Sequence, residues 1–139
     1  MGKGILGLGV LNIEPTKLEY KMAKAEYLFT HKPRSQILKW MSPKEFLSLV
    51  PPTRYSKETT QELKEKIRKG TPLDPLFLDI DIDSCNVMQH EGRHRAKAAI
   101  ELDIKKIPVI LYHKERYNGQ SGFIDIKGKE QCKILLPEH

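Results

Sequence analysis

Six consecutive residues, His90-Glu91-Gly92-Arg93-His94-Arg95, bring two arginines, two histidines and a glutamate together. Asn86 to Gln89 before them read as a short strand, and residues 91–102 read as a helix. The cluster therefore sits at a strand-to-helix junction. There the first backbone N–H groups lack intrahelical acceptors, and the positive end of the helix dipole favours an anion. Arginine suits phosphate because its planar fork donates two hydrogen bonds at once. Glycine at 92 carries no side chain to hold an anion away from the exposed N–H groups. Gly92, Arg93, His94 and Arg95 are thus the expected phosphate- or nucleotide-binding set. Glu91 and His94 are the candidates for acid–base chemistry. A glutamate beside an anion is repelled unless it holds a metal, takes a proton or pairs with an arginine. The plainer alternative is a structural ion pair from Glu91 to Arg93 or Arg95, with the helix packing through Ala96, Ala99, Ile100 and Leu102.

The same letters spell the zinc-protease signature, His90-Glu91-x-x-His94. That chemistry needs both histidines on one face of one helix, with the glutamate activating water. Here the first histidine follows a strand-like segment. Gly92 lies inside the motif, where glycine weakens a helix by about 1 kcal/mol. Ile100 stands where the extended signature has a histidine, and Glu115 falls in a loop. No metal site is expected, and the protease remains a minor alternative.

The elements that must position this cluster are legible from caps and periodicity. Thr16 and Glu19 form a capping-box pair, and Leu18, Met22, Ala25 and Phe29 follow at near-helical spacing. This predicts a helix near 17–29. Gln36 to Met41 reads as a strand. Ser42-Pro43-Lys44-Glu45 is a helix start, with Phe46, Leu47, Leu49 and Val50 as its buried stripe and Pro51-Pro52 as its end. A longer helix is expected from Lys57 to Lys69, capped by Ser56 or Thr59, with Leu63 and Ile67 inward and Gly70 as its stop. Leu76, Leu78, Ile80 and Ile82 alternate with Phe77, Asp79, Asp81 and Asp83, predicting a strand with one wet face. A strand over 107–112, a polar loop over 113–122 and a closing hairpin of Phe123–Ile126 with Gln131–Leu136 complete the reading. The fold class expected is α+β, a small mixed β-sheet with flanking helices.

The 139 residues suffice for one domain: 1–35 as an N-terminal extension and 36–136 as the core. A composition of 39% hydrophobic and 30% charged residues fits a soluble globular chain. No apolar run is long enough to span a membrane. The apolar opening Ile5 to Leu11 is short and lacks a cleavage site, so no secretory leader is expected. Cys85 and Cys132 follow no metal spacing, which predicts two unpaired thiols and a cytoplasmic location. A net charge of +6 favours polyanionic partners, including DNA, although ordinary solubility charge reaches similar values. Three further signals are discounted. Gly2-x-Gly4-x-x-Gly7 lacks a preceding strand, so it is not a dinucleotide fingerprint. Asp79, Asp81 and Asp83 are expected to be a solvated face rather than a magnesium site. Arg54 and Tyr55 follow Pro51-Pro52 in a loop able to reach a ligand, with only residue type in support.

From Trp40 to Tyr112 the chain resembles the ParB/sulfiredoxin-like superfamily. The matching blocks are Met41-Ser42-Pro43-x-x-Phe46-Leu47, Pro72-x-x-Pro75-Leu76, Glu91-Gly92-Arg93-His94-Arg95-Ala96 with Ala98-Ala99, and Ile107-Pro108-Val109. The resemblance implies a small mixed sheet with helices, and a nucleotide or phosphate at the helix start. It implies fold and pocket more than reaction; Glu91 with two arginines at a helix start is what leads to the expectation of an NTPase, nuclease or phosphotransferase, using magnesium with a nucleoside triphosphate. Arg93 stands where sulfiredoxins carry their catalytic cysteine, so sulfinic-acid reduction is not implied. Partition proteins of the superfamily carry Gly-Glu-Arg-Arg-x-Arg, and this chain retains the glutamate and two arginines. Their helix-turn-helix and dimerisation regions find no room in 139 residues. Free-serine kinases of the superfamily carry Asp-Gly-His-x-Arg, to which Glu91-Gly92-Arg93-His94-Arg95 is similar. The alternative from another class is a non-catalytic DNA- or protein-binding accessory module of a plasmid or virus.

Overall fold

The computed structural model describes residues 18–24 and 35–114. Seven elements follow in order: β1 (Ser35–Met41), α1 (Pro43–Ser48), α2 (Lys57–Arg68), β2 (Leu76–Asp81), β3 (Val87–Glu91), α3 (Arg93–Glu101) and β4 (Ile107–Lys114). The protein is an α+β domain built on one four-stranded mixed sheet, ordered β1-β4-β2-β3. β1 pairs antiparallel with β4, β4 parallel with β2, and β2 antiparallel with β3. Parallel neighbours need a crossover, and here it contains β3 and α3. The knot is therefore embedded in the connection that joins the two central strands.

Local chemistry accounts for most boundaries. The Ser42 hydroxyl accepts from the Glu45 N–H, and Pro43 occupies the first turn of α1. The Ser56 hydroxyl accepts from the Thr59 N–H and starts α2. Gly70, at φ +76°, ends it with paired bonds, Gly70 N–H to Ile67 O and Thr71 N–H to Lys66 O. This is the Schellman arrangement. α3 closes the same way, with Asp103 at φ +56° and Ile104 N–H reaching Ala99 O. Buried Ile104 seals that end.

One face of the sheet forms the core. Leu76, Leu78 and Ile80 of β2 and Ile107, Val109 and Leu111 of β4 are buried against Phe46, Ile67, Ala96 and Ala99. The alanines lack bulk and let α3 pack closely over the sheet. α3 also contacts α1 and α2. No helix among the described residues is long and apolar enough to cross a membrane.

Several expectations are corrected. Residues 18–24 are not helical: Met22 bridges Leu73, with Leu73 N–H donating to Lys21 O and Ala23 N–H to Leu73 O. Backbone pairing with the segment before β2 outweighs the helical spacing of Leu18 and Met22. The wet face of β2 is also absent. Asp79 is 0% exposed and Asp81 8%, and only Asp83 of the three lies on the surface side of the turn. Lys114 Nζ lies 2.9 Å from Asp79 Oδ2, and Asp81 accepts from Asp83 N–H and the Ser84 hydroxyl. Alternation in one strand marks two faces but does not say what covers either. His113 and Lys114 belong to β4 rather than to a loop. Cys85 is disulfide-bonded, correcting the expected unpaired thiol. Separation along the chain excludes a metal-ligand spacing but does not keep two sulfurs apart in space. Cysteine usage therefore no longer argues for a reducing compartment. The expected hairpin over 123–136 and most of the 113–122 loop lie outside the described residues, as does Cys132.

Candidate anion-binding site

The knot is assembled by a change of element rather than by one helix. β3 continues to Glu91, two residues beyond the expected strand end, and α3 begins at Arg93. Gly92 is the hinge, at φ +120°. This region is strained for any residue with a side chain. A Cβ built at Gly92 would also lie 2.3 Å from Leu76 Cγ. Glycine is therefore required by the packing of the knot on β2, a reason distinct from the expected opening toward an anion. No side chain caps α3. The N–H groups of Arg93, His94 and Arg95 thus have no intrahelical acceptor.

A cleft of about 290 Å³ lies over this uncapped end. It is lined by His90, Glu91, Gly92, Arg93, His94 and Arg95 from the knot and by Thr59 and Leu63 from α2. All five sequence-predicted site residues, Glu91, Gly92, Arg93, His94 and Arg95, therefore meet in one place. Arg95 reaches the Pro75 carbonyl oxygen with one terminal nitrogen at a long 3.5 Å. Its Nε is buried with no acceptor. A buried donor left without a partner costs about 1–3 kcal/mol, which an anion in the cleft would relieve. Glu91 is exposed and forms no ion pair with Arg93 or Arg95. The structural brace between these groups is not formed, and a carboxylate stands uncompensated at the rim.

The two histidines occupy different elements. His90 is on β3, opposite Leu78 in the register, and His94 is in the first turn of α3. They do not share a helical face, so the geometry behind the zinc-protease signature is missing. Among the described residues no group of three histidine, cysteine or acidic side chains is arranged to hold a metal ion. Burial pushes the His90 imidazole below its ordinary value, and Arg93 adds to this, while Glu91 acts in the opposite direction.

His94 has company that its sequence neighbourhood does not reveal. Its Nε2 accepts the Ser56 N–H at 3.1 Å. The Tyr55 ring stands edge-on to the imidazole, at 5.6 Å between centroids and 87° between planes. Lys97 Nζ lies 5.6 Å above the Tyr55 ring, and Lys64 of α2 pairs with Glu101 of α3 at 3.1 Å. The His94 and Lys97 contacts fasten the start of α2 to the first turns of α3, and the Lys64–Glu101 pair joins the helices further along. Ser56 was legible as a helix cap and Tyr55 as a loop residue of interest. Nothing in the sequence placed either against His94, 38 residues away from Ser56. In comparisons with known proteins, no family, curated protein or solved structure matches this chain.

Proposed function

We propose that this chain is a phosphate- or nucleotide-binding domain of ParB/sulfiredoxin-like type, taking its ligand in the cleft at the start of α3. The observation that carries this reading is the uncapped N-terminus of α3 beneath Arg93 and Arg95, with the Arg95 Nε buried and unanswered. Free N–H groups, the helix dipole and two guanidinium groups all favour the same guest, a compact oxyanion. Glu91 is the one acidic side chain in the lining. It supplies either a general base toward water or a hydroxyl, or a single oxygen to a magnesium ion accompanying a triphosphate. Magnesium takes few protein ligands in such sites, the rest coming from phosphate and water. With these parts the reaction classes open to the chain are NTP hydrolysis, phosphodiester hydrolysis and phosphoryl transfer.

Thermal and chemical denaturation with phosphate, pyrophosphate, ATP, CTP or GTP, each with and without magnesium, tests the reading. A ligand at 100 times its dissociation constant stabilises the folded state by about 2.7 kcal/mol. No stabilisation by any of these anions removes the cleft as an anion site.

The net charge of +6 favours a second reading, a non-catalytic DNA-binding module. Binding through phosphate contacts weakens steeply as salt rises. Absence of duplex binding at about 50 mM salt, where such contacts are strong, eliminates it.

A further inference from the structure

We propose that His94 is a positioning residue rather than a proton-transfer group: its imidazole is a latch that holds the start of α2 over the anion cleft. The inference rests on the phosphate-site reading and adds how that site is kept in shape. A backbone N–H can only donate. The 3.1 Å contact from Ser56 N–H to His94 Nε2 therefore makes Nε2 the acceptor. The neutral ring then carries its proton on Nδ1, the opposite tautomer to one that donates through Nε2. The nitrogen that a general base would use is already occupied.

The latch has consequences because of where Ser56 stands. Ser56 is the cap of α2, its hydroxyl holding the Thr59 N–H, and Thr59 and Leu63 form the α2 wall of the cleft. Without the His94 contacts, which include the edge contact of Tyr55, the ties between the two helices are the Lys64–Glu101 pair at the end of α3 and the core packing of Ile67 with Ala96 and Ala99. The first is partly exposed and contributes about 1 kcal/mol or less. The core packing holds the far half of α2 in place, and His94 fixes its start, where Ser56 and Thr59 stand. His94 does so from the first turn of α3, the turn whose N–H groups face the anion.

The tautomer is read directly on the unmodified protein by long-range ¹⁵N–¹H correlation NMR at neutral pH. Protonated Nδ1 with bare Nε2 is expected; a protonated Nε2 overturns the latch. Inorganic phosphate and pyrophosphate titrations then test its effect. His94→Gln restores an acceptor near the Nε2 position without an ionisable ring, and should bind within twofold of the parent. His94→Ala should lose roughly two- to tenfold, the range of one net hydrogen bond. Ser56→Pro removes the N–H at a φ of −74° that proline accepts, and should weaken binding in the same direction as His94→Ala, which loses the Tyr55 edge contact as well. Ser56→Ala keeps the N–H, loses only the cap, and should bind like the parent. Equal affinity in all four variants overturns the proposal, as does a loss in His94→Gln equal to that in His94→Ala. If the parent binds neither anion, the phosphate reading fails by itself, while the tautomer still decides the latch.

Discussion

Gly92 and Leu76 occupy the same space as far as any larger residue is concerned: a Cβ at position 92 would come within 2.3 Å of Leu76 Cγ and 2.7 Å of its Cδ2. Leu76 is the first residue of β2 and fully buried. The knot is thereby seated directly on the central sheet, and the anion cleft is referenced to a rigid strand rather than to a loop.

Gly92→Ala is expected to destabilise the protein by about 2–6 kcal/mol. Backbone strain at φ +120° contributes roughly 1–3 kcal/mol and overpacking against Leu76 a similar amount. Urea denaturation measures this. In the double variant with Leu76→Ala, the part of the overpacking due to Leu76 Cγ and Cδ2 should be relieved, while the contact with its Cβ at 2.9 Å and the backbone strain remain. A double-mutant cycle showing no coupling between the two sites contradicts the seat described above.

Arg95→Ala should weaken phosphate binding by about 1.5–3 kcal/mol, the range of a charged hydrogen bond. Arg95→Lys should fail to restore it, because an ammonium lacks the guanidinium fork and the Nε donor. Isothermal titration with phosphate provides the measurement. Full rescue by lysine would show that Arg95 contributes charge alone.

Glu91→Gln should leave phosphate affinity unchanged or improved, since a carboxylate beside the anion is removed. Any nucleotide turnover of the parent should be abolished. Loss of folding in this variant, seen by circular dichroism, would instead make Glu91 a structural brace.

His90 makes stability depend on pH in a defined direction. Its folded-state pKa is lowered, by burial first and then by Arg93. The unfolded chain therefore binds the proton more readily. The stability contributed by neutral His90 is fully present above the unfolded value of about 6.5, and is lost as pH falls from there through the folded value. Urea midpoints between pH 8 and pH 5 should fall less steeply in His90→Gln than in the parent. Glu91 opposes the shift, so Glu91→Gln should make the parental fall steeper. A His90→Gln profile superimposable on the parent's contradicts the assignment.

Lys114 neutralises Asp79 in a nearly dry setting, their side chains being 9% and 0% exposed. The approach is close, although neither Asp79 oxygen has hydrogen-bond geometry. Coulomb attraction rather than directed bonding therefore holds the pair. Lys114→Met should cost about 3–5 kcal/mol by leaving a buried carboxylate uncompensated, and Asp79→Leu added to it should recover much of that loss. Denaturation of the single and double variants decides the point.

What the sequence determined by itself were the features governed by neighbours along the chain. Ser42 with Pro43 dictated α1, Ser56 and Gly70 bracketed α2, and alternation in Leu76 to Ile80 marked β2. The charged knot was visible as a cluster of six neighbouring residues, and all six line one cleft. Each of these follows from dihedral limits, caps or a repeat of two, all of which act within a few residues. Tertiary structure decided the rest. Residues 18–24 took backbone bonds from Leu73 instead of forming a helix. The acidic side of β2 is buried, with Lys114 brought beside Asp79 from a strand 35 residues later. Glycine at 92 was demanded by Leu76, and His94 was claimed by Ser56. In every one of these cases the deciding partner is distant along the chain but adjacent in space. A local pattern records that a residue is able to make such a contact; the packed sheet and helices select the one that is made.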